Sequence, residues 1–309
     1  MTLAARKLEN VSGYSGVEHR LLFLGIKLSQ SIRRSVACAK RYAGVIDTYA
    51  GGNDISLKKI EPDSDDVPAD CACLIVQQPN FLGYFEDMSR YARQAHDVGA
   101  LFIIVADPIS LGMFKPPQDY GADIVVAEGQ ALGNPTSFGG PGLGIFACRQ
   151  EYMRQMPGRI VGKTVDIEGK PGYVLTMASR EQHIRRERAT SNICTNEALV
   201  ALAATVYLAA LGKNGLRQVA ELCYHKAHYA AEAIGNLKGF SLAFGQPFFN
   251  EFVVSCPVTP RQINEALLQE RIIGGLDVSD MVKNGMLLCC TEMNTKQQID
   301  KLIAILGAL

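Results

Sequence analysis

Four runs of apolar residues in the middle of the chain have the length and composition of short buried strands: ACLIVQQPN, LFIIVADP, ADIVVAE and GIFACR. The segment between the first two, FEDMSRYARQAHDVGA, has the apolar spacing of a helix that ends at Gly99. Buried strands that alternate with amphipathic helices are typical of a mostly parallel sheet covered on both faces. The central pattern therefore predicts an α/β domain.

The segments on either side of this sheet carry weaker patterns. Residues 39–52 predict a helix and residues 53–61 predict a strand, whereas HRLLFLGIKLSQSIRRS at 19–35 could form a short amphipathic helix. Beyond the sheet, residues 165–175 predict a hairpin, because Gly and Pro lie between two apolar runs.

The C-terminal part predicts two helices and a small second domain. The helices cover residues 196–237 and are separated at Gly212, a residue that commonly ends helices. Four further segments then alternate strand and helix: FFNEFVVSCP, RQINEALLQERIIGG, MLLCCTE and KQQIDKLIAIL.

Composition and charge exclude several classes of protein. The 309 residues suffice for about two domains. With 48% hydrophobic residues and a formal net charge of zero, nothing favours nucleic acid or an anionic membrane as a partner. No apolar run reaches the ~20 residues of a membrane helix, and we see no secretory signal, so we expect a cytoplasmic protein. The 9 Cys form no CxxC pair, which favours reduced, buried thiols and no metal.

Two polar residues follow buried strands, at the edge where ligands bind in parallel sheets. Asp107 ends one strand and Gln130 follows the next. A carboxylate like that of Asp107 could hold the protonated pyridine nitrogen of pyridoxal phosphate (PLP), or it could cap the turn before Pro108. Both interpretations stay open, and glutamine does almost no chemistry of its own.

A glycine-rich loop and a basic segment are the other candidates. The loop at 133–144 has five glycines, which let backbone N–H groups approach a phosphate, but it is no P-loop and could be a tight turn. The basic segment contains Arg180, His183, Arg185, Arg186 and Arg188. It could be a solvated face with internal Glu pairs, a carboxylate or phosphate site, or a docking surface for an acidic partner.

Four segments of the chain form long, distinctive motifs: EGQALGNPTSFGGPGLGIFA, RQMPGRIVG, SREQHIRRERATSNICTNEAL and FFNEFVV. Together they closely resemble the glycine cleavage system P-protein family, the decarboxylating glycine dehydrogenases, in the alpha subunit (subunit 1) of the two-subunit bacterial form. The resemblance runs from about Tyr42 to the C-terminus. It implies a type I PLP-dependent aminotransferase-like fold, in which a large domain with a mostly parallel sheet carries a smaller C-terminal α/β domain.

The resemblance also implies a division of the chain. We expect a divergent segment at 1–35, a partial large domain at 36–195, and connecting helices with the small domain at 196–309. Alpha subunits of this family are longer, so we expect the large domain to be incomplete at its N-terminus. The chain would then be a truncated or frame-disrupted version, or come from a divergent gene.

The resemblance implies which position of the family Gln130 occupies. Counting back from the GGPG motif at 139–142 places Gln130 at the Schiff-base lysine position of the family. Glutamine cannot form an imine. This implies that the partner beta subunit binds PLP covalently and that this chain does not. Asp107 then matches the pyridine-binding aspartate of the fold and could be vestigial.

The remaining site candidates are expected at an interface or at the entry to the active site. They are Ser137, Phe138, Gly139 and Gly140 in the loop, and Arg180, His183, Arg185, Arg186, Thr190, Ser191 and Asn192 in the basic motif. No catalytic residue is expected in this chain alone.

The implied reaction decarboxylates glycine and transfers its aminomethyl group to the lipoyl arm of H-protein, in an alpha2beta2 assembly. In enzyme classification this is an oxidoreductase that acts on CH–NH2 with a disulfide acceptor. The alternative is a catalytically inactive PLP-fold scaffold, or a truncated remnant, that acts only in subunit association. An independent PLP enzyme that uses Lys115 or Lys163 is disfavoured, because neither lysine lies at the strand-end position.

Overall fold

The structure, a computed structural model, describes residues 31–35, 37–51, 55–61, 67–156, 160–177, 182–188 and 197–309. Its largest element is a six-stranded sheet with the order β2-β1-β3-β4-β5-β6. The strands are β1 (Ser31–Ser35), β2 (Ser56–Ile60), β3 (Cys71–Gln78), β4 (Leu101–Ala106), β5 (Ile124–Glu128) and β6 (Gly144–Cys148). Strands β1 to β5 are parallel, and β6 runs antiparallel to β5. The expected mostly parallel sheet is confirmed.

Apolar side chains cover both faces of this sheet, because successive residues of a strand point to opposite sides. On one face Ile75, Ile103 and Ile124 pack with Ile46 of helix α1 (Lys40–Gly51). The other face packs against helix α2 (Met88–Asp97), whose N-terminus is capped where the Asp87 side chain accepts a hydrogen bond from the Arg90 N–H. Two buried faces explain why β3 and β4 appear in the sequence as continuous apolar runs.

The first strand corrects the expectation of a helix over residues 19–35. Residues Ser31–Ser35 lie between β2 and β3 as the parallel strand β1, so they belong to the large sheet and not to a separate N-terminal segment. The sequence pattern does not predict this strand, because it contains Arg33 and Arg34 and charged residues are rarely buried. Arg34 is buried nonetheless and donates a hydrogen bond to the main-chain oxygen of Ser35. Residues 19–30 lie outside the described part of the chain.

A small four-stranded antiparallel sheet forms the C-terminal domain, as expected. Its strands are β9 (Ser241–Leu242), β10 (Glu251–Ser255), β11 (Leu276–Asp277) and β12 (Gly285–Cys289), in the order β11-β12-β10-β9. Two helices of this domain, α5 (Pro260–Gln269) and α6 (Lys296–Leu306), both begin with a capping box. Helices α3 and α4 precede them in the chain and are described in the next paragraph. Phe252, Ile263 and Ile299 belong to the core that joins the sheet to these helices.

A hairpin and a long helical span connect the two sheets. The hairpin consists of β7 (Ile160–Val165) and β8 (Pro171–Thr176), and the short helix α3 (Gln182–Arg185) follows. The span α4 (Ala198–Gly235) is interrupted at Gly212, where φ is 61° and ψ is −174°. The expected break between two helices is therefore confirmed. The boundary expected at 195/196 lies outside the described residues.

The length and composition of the helical span α4 resemble those of a membrane-spanning helix. By length and composition alone it is the one helix in the described residues that could cross a bilayer. Its apolar part before Gly212 is only about 21 Å long, at ~1.5 Å per residue, against a hydrocarbon core of ~30 Å. Because Gly212 leaves helical geometry, this segment is too short to span such a core as a straight helix.

Candidate functional site

The structure brings Asp107 and the loop that carries Gln130 to the same edge of the large sheet. Asp107 directly follows β4, and Gln130 lies two residues after β5. The two strands are parallel neighbours with Ala106 opposite Ala127. This edge holds the carboxyl ends of the strands, where the fold class places its ligands.

Asp107 caps its own turn. Its Oδ1 accepts hydrogen bonds from the N–H of Ile109 at 2.7 Å and of Ser110 at 3.1 Å. The Ser110 hydroxyl donates in return to the main-chain oxygen of Asp107 at 2.7 Å. Burial raises the pKa of this carboxyl group, and the two N–H donors act in the opposite direction. The interpretation as a turn cap is therefore confirmed.

Glu251 is the site residue that sequence reasoning missed. It begins β10 and reaches the same edge, where burial first, and then the Asp107 carboxylate, raise its pKa to about 7, while Arg41 acts in the opposite direction. Two carboxyl groups from distant parts of the chain therefore share this edge. The only signal in the sequence was an acidic residue at the start of an apolar strand.

Gln130 is held in place by two hydrogen bonds. Its Nε2 donates to the main-chain oxygen of Asn134 at 2.6 Å, and its N–H donates to Glu128 Oε1 at 3.0 Å. Covalent attachment of PLP requires an amine at this strand end, and an amide cannot supply one. Lys115 and Lys163 lie in a turn after β4 and in the exposed hairpin, so neither replaces it. The residues at this position do not fit covalent PLP.

The glycine-rich loop ends in a protruding turn. The main-chain oxygen of Thr136 accepts hydrogen bonds from the N–H groups of Gly139 at 2.9 Å and Gly140 at 3.2 Å, so this turn already uses two donors that a phosphate would need. Ser137 and Phe138 both have positive φ angles, and the Phe138 side chain is fully exposed. An exposed aromatic ring on an ordered turn is suited to contact with another protein.

The basic segment is exposed wherever the structure describes it. His183, Arg185 and Arg186 lie on the surface, and Arg188 Nε is 3.8 Å from Glu187 Oε1. Arg180, Thr190, Ser191 and Asn192 lie outside the described residues. Exposed arginines next to the hairpin are compatible with a solvated face, with a carboxylate or phosphate site and with a docking surface.

A cleft of about 960 Å³ separates the two sheets. Lys40 and Arg41 line it at the start of α1, Gln77 at the end of β3, and Glu251 and Arg271 on the side of the small domain. An ion pair between Lys40 and Asp280 joins the two domains. The cleft thus opens beside the edge that carries Asp107 and Glu251.

Most of the described thiols are buried and resemble small apolar groups. Burial raises the pKa of Cys38, Cys71, Cys256 and Cys290 to about 11 in each case. Thiols with raised pKa values are poor nucleophiles and poor metal ligands near neutral pH. Within the residues that the structure describes, no three His, Cys, Asp or Glu side chains are grouped to hold a metal ion.

Comparison with known proteins identifies the relatives of the chain. A family model described as glycine cleavage system P-protein matches residues 25–306. "Probable glycine dehydrogenase (decarboxylating) subunit 1" of Thermomicrobium roseum is 52% identical over 281 residues, which cover 86% of this chain and 62% of that protein. Proteins of the same name from Desulfitobacterium hafniense and Desulforamulus reducens are 54% and 45% identical, and the matches cover 77% and 97% of this chain. This chain covers only 54% and 71% of those two proteins.

Solved structures agree with this relationship. A glycine decarboxylase (P-protein) of the glycine cleavage system, in inhibitor-bound form, superposes with a TM-score of 0.87 at 37% identity, over 99% of this chain and 68% of that one. An alanine–glyoxylate aminotransferase from Nostoc sp. has a TM-score of 0.63 at 16% identity, over 99% and 78%. An Escherichia coli cysteine desulfurase has a TM-score of 0.67 at 15% identity, over 99% and 76%. The last two show the fold alone, and the expected type I PLP-dependent aminotransferase-like fold is confirmed.

Proposed function

The chain belongs to the glycine cleavage system P-protein family, and from this premise we propose that it is the subunit of a decarboxylating glycine dehydrogenase that lacks the Schiff-base lysine. The observation that carries this proposal is the Gln130 side chain, which offers an amide where the reaction needs an amine and which is fixed to Asn134. Such a chain requires a partner subunit that holds PLP covalently. Together with that partner it acts on glycine.

The proposed reaction removes CO2 from glycine and transfers the aminomethyl group to the oxidised lipoyl arm of H-protein. One sulfur of the lipoyl disulfide forms the new bond to carbon, and the other sulfur is reduced to a thiol. PLP, bound by the partner, supplies the electron sink for the decarboxylation. The residues of this chain would contribute contacts at the subunit interface and at the entrance to the partner's active site.

The exposed apolar surface supports a partner. Leu199, Leu202 and Val206 are exposed on one face of α4, where residues three and seven positions apart lie above one another. Tyr207, on the core-facing side of the same helix, packs against Gly133, so the helix and the loop that carries Phe138 are neighbours. Exposed apolar side chains on such neighbouring elements are typical of a subunit interface. We therefore propose an alpha2beta2 assembly in the cytoplasm.

The second candidate function is a scaffold without catalytic contribution. It is favoured by the observation that Asp107 and Gln130 both form hydrogen bonds within their own turns, so the strand ends stabilise local structure. In this case the chain would only hold its partner in an assembly. Asp107 would be vestigial under both proposals.

Reconstitution with the beta subunit and lipoylated H-protein tests the proposal. Glycine–bicarbonate exchange, which measures reversible decarboxylation, would be assayed for the beta subunit alone and for the co-expressed complex. We expect exchange only in the complex. If the complex forms but adding this chain does not change the exchange rate, the scaffold function is supported and the proposed subunit function is wrong.

A further inference from the structure

The loop that carries Phe138 is closed at its base by one carboxylate. Glu128, the last residue of β5, accepts two hydrogen bonds at Oε1, from the N–H of Gln130 at 3.0 Å and from the N–H of Leu143 at 2.8 Å. The main chain closes the same base, since the Gly129 N–H donates to the Leu143 oxygen at 2.7 Å. One oxygen atom therefore joins the first and last residues of a protruding loop.

The glycine beside this carboxylate makes the arrangement possible. A Cβ atom at Gly142 would lie 3.1 Å from Glu128 Oε2 and 3.2 Å from Oε1, closer than ordinary van der Waals contact. Gly142 does not need its freedom of backbone conformation, because its φ lies in the ordinary range. What position 142 requires is space for the Glu128 side chain.

Within the part of the chain that the structure describes, the tip of the loop has no comparable contact with other elements. Phe138 is fully exposed, and the described hydrogen bonds of its turn run to Thr136 of the same turn. The direction in which the tip points is therefore set below it, by the closed base together with the contact between Gly133 and Tyr207.

We propose that Glu128 is a positioning residue, which orients the loop between Gln130 and Leu143 so that its tip meets the partner subunit. This inference rests on the proposed function, because the loop acts through an active site in the partner. Glu128 touches neither substrate nor cofactor in this proposal. It accepts hydrogen bonds from the N–H groups of Gln130 and Leu143, and these two residues fix the two ends of the loop.

Three variants of this chain separate the role of the hydrogen bonds from that of the charge. Glu128→Ala removes both acceptors, whereas Glu128→Gln keeps a side-chain oxygen that can accept the same two bonds. Gly142→Ala leaves Glu128 in the sequence but forces its carboxylate to move. Glu151→Ala is the control, because it removes an exposed negative charge from the same domain, away from the loop.

Two measurements distinguish positioning from general stability. In the reconstituted complex, we expect Glu128→Ala to lower kcat for glycine–bicarbonate exchange by about 10- to 100-fold, as a misplacement near 1 Å does. The KM for glycine and the Tm should match the parent. In the chain alone, hydrogen exchange should be faster at the amides of Gln130 and Leu143. Gly142→Ala should also speed up hydrogen exchange at these two amides and lower kcat. Glu128→Gln and Glu151→Ala should change neither the exchange rates nor kcat.

The outcomes separate this inference from the proposed function. If the parent complex has no exchange activity, the proposed function is wrong, and hydrogen exchange in the chain alone still decides whether Glu128 fixes the loop. Unchanged exchange at Gln130 and Leu143 in Glu128→Ala would overturn the inference, even if the variant does not assemble. A Glu128→Gln variant as impaired as Glu128→Ala would also overturn it, because the hydrogen bonds would then not be the cause.

Discussion

The side-chain amide of Gln130 donates a hydrogen bond of 2.6 Å to the main-chain oxygen of Asn134, so the group at the end of β5 stabilises a turn. We propose that this position corresponds to the Schiff-base lysine of the family, and an amide there supplies a structural contact but no amine. Chemistry in this family member would then require an amine from another chain.

The isolated chain should form no covalent adduct with PLP. Glutamine offers no amine, and Lys115 and Lys163 lie away from the strand end, so only low, scattered labelling of surface lysines is expected. The measurement is borohydride reduction in the presence of PLP, followed by peptide mapping. Lys115→Arg and Lys163→Arg should label like the parent. One lysine of this chain labelled stoichiometrically would show that the assignment of Gln130 is mistaken.

The apolar face of α4 should make the isolated chain self-associate or aggregate. Leu202 is exposed between Leu199 and Val206, and water-exposed apolar surface favours association. Leu202→Glu should reduce light scattering of the chain alone and weaken its assembly with the beta subunit at least about tenfold, since a charge would be buried at the interface.

Leu268→Glu is the matched control for this face. Leu268 is also exposed, but it lies on α5 of the small domain. Its substitution should change neither scattering nor assembly. A parent chain that is already a monodisperse monomer with a cooperative melting transition would contradict the expectation.

The large sheet could be anticipated because its strands are buried on both faces. β3 and β4 are continuous apolar runs, and their order with the intervening helix α2 follows from the alternation. β1 was missed because Arg33 and Arg34 disguise a buried strand. The antiparallel direction of β6 was not anticipated either, since an apolar run carries no information about strand direction.

The site was only partly predictable for a different reason. Asp107 and Gln130 were found because each follows a strand in the sequence. Glu251 approaches Asp107 from more than a hundred residues away, and no local pattern reports such a contact. The hydrogen bond from Leu143 to Glu128 also depends on the return path of the loop. The end of a strand can be recognised from neighbouring residues, whereas the contacts at that end come from residues that are distant in the sequence.

Asp123 should be a main determinant of stability in the large domain. Its buried carboxylate accepts a hydrogen bond from the Phe102 N–H at 2.8 Å, lies 2.9 Å from His96 Nε2 and is 3.3 Å from Arg149 Nε. Asp123→Ala leaves the buried Phe102 N–H without this acceptor and removes the carboxylate from His96 and Arg149, so we expect a loss of about 2 kcal/mol in the free energy of unfolding, measured in urea. Asp119→Ala, an exposed carboxylate nearby, should cost less than about 0.5 kcal/mol. Equal losses in the two variants would refute this role.

Glu251 should make stability fall as the pH rises. Burial and the Asp107 carboxylate raise the pKa of its folded form from 4.5 to about 7, so the folded state binds the extra proton between these values. Stability from the protonated group is complete below the unfolded pKa and is lost as the pH approaches 7. The loss should total about 3 kcal/mol.

Glu251→Gln isolates this contribution, because the amide does not titrate. The free energy of unfolding of parent minus variant should decrease between about pH 5 and about pH 7.5. His228 stacks on Phe248 at 3.9 Å, and burial lowers its pKa, which gives an opposite slope below 6.5. That slope is common to both proteins and cancels in the difference. A difference that does not change with pH would mean that Glu251 is ionised throughout.

The exposed arginines should matter for activity more than for folding. Arg185, Arg186 and Arg188 crowd one short surface segment beside a single described acidic residue, Glu187. If this segment binds a carboxylate or phosphate through planar guanidinium groups, lysine cannot form the same bidentate hydrogen bonds. The loss of one charged hydrogen bond, about 1.5 kcal/mol, would lower glycine turnover or H-protein affinity roughly tenfold.

Single Arg→Lys variants at these three positions, assembled with the beta subunit, test this expectation across ranges of glycine and H-protein. A raised KM for H-protein would place the residue on a docking surface, and a lowered kcat at saturation would place it near the chemistry. The Tm of the complex should stay that of the parent, because exposed substitutions cost less than about 0.5 kcal/mol. Arg261→Lys, on α5, is the control and should change neither constant. If all three variants behave like Arg261→Lys, the segment is a solvated face, and the contact with H-protein must lie elsewhere.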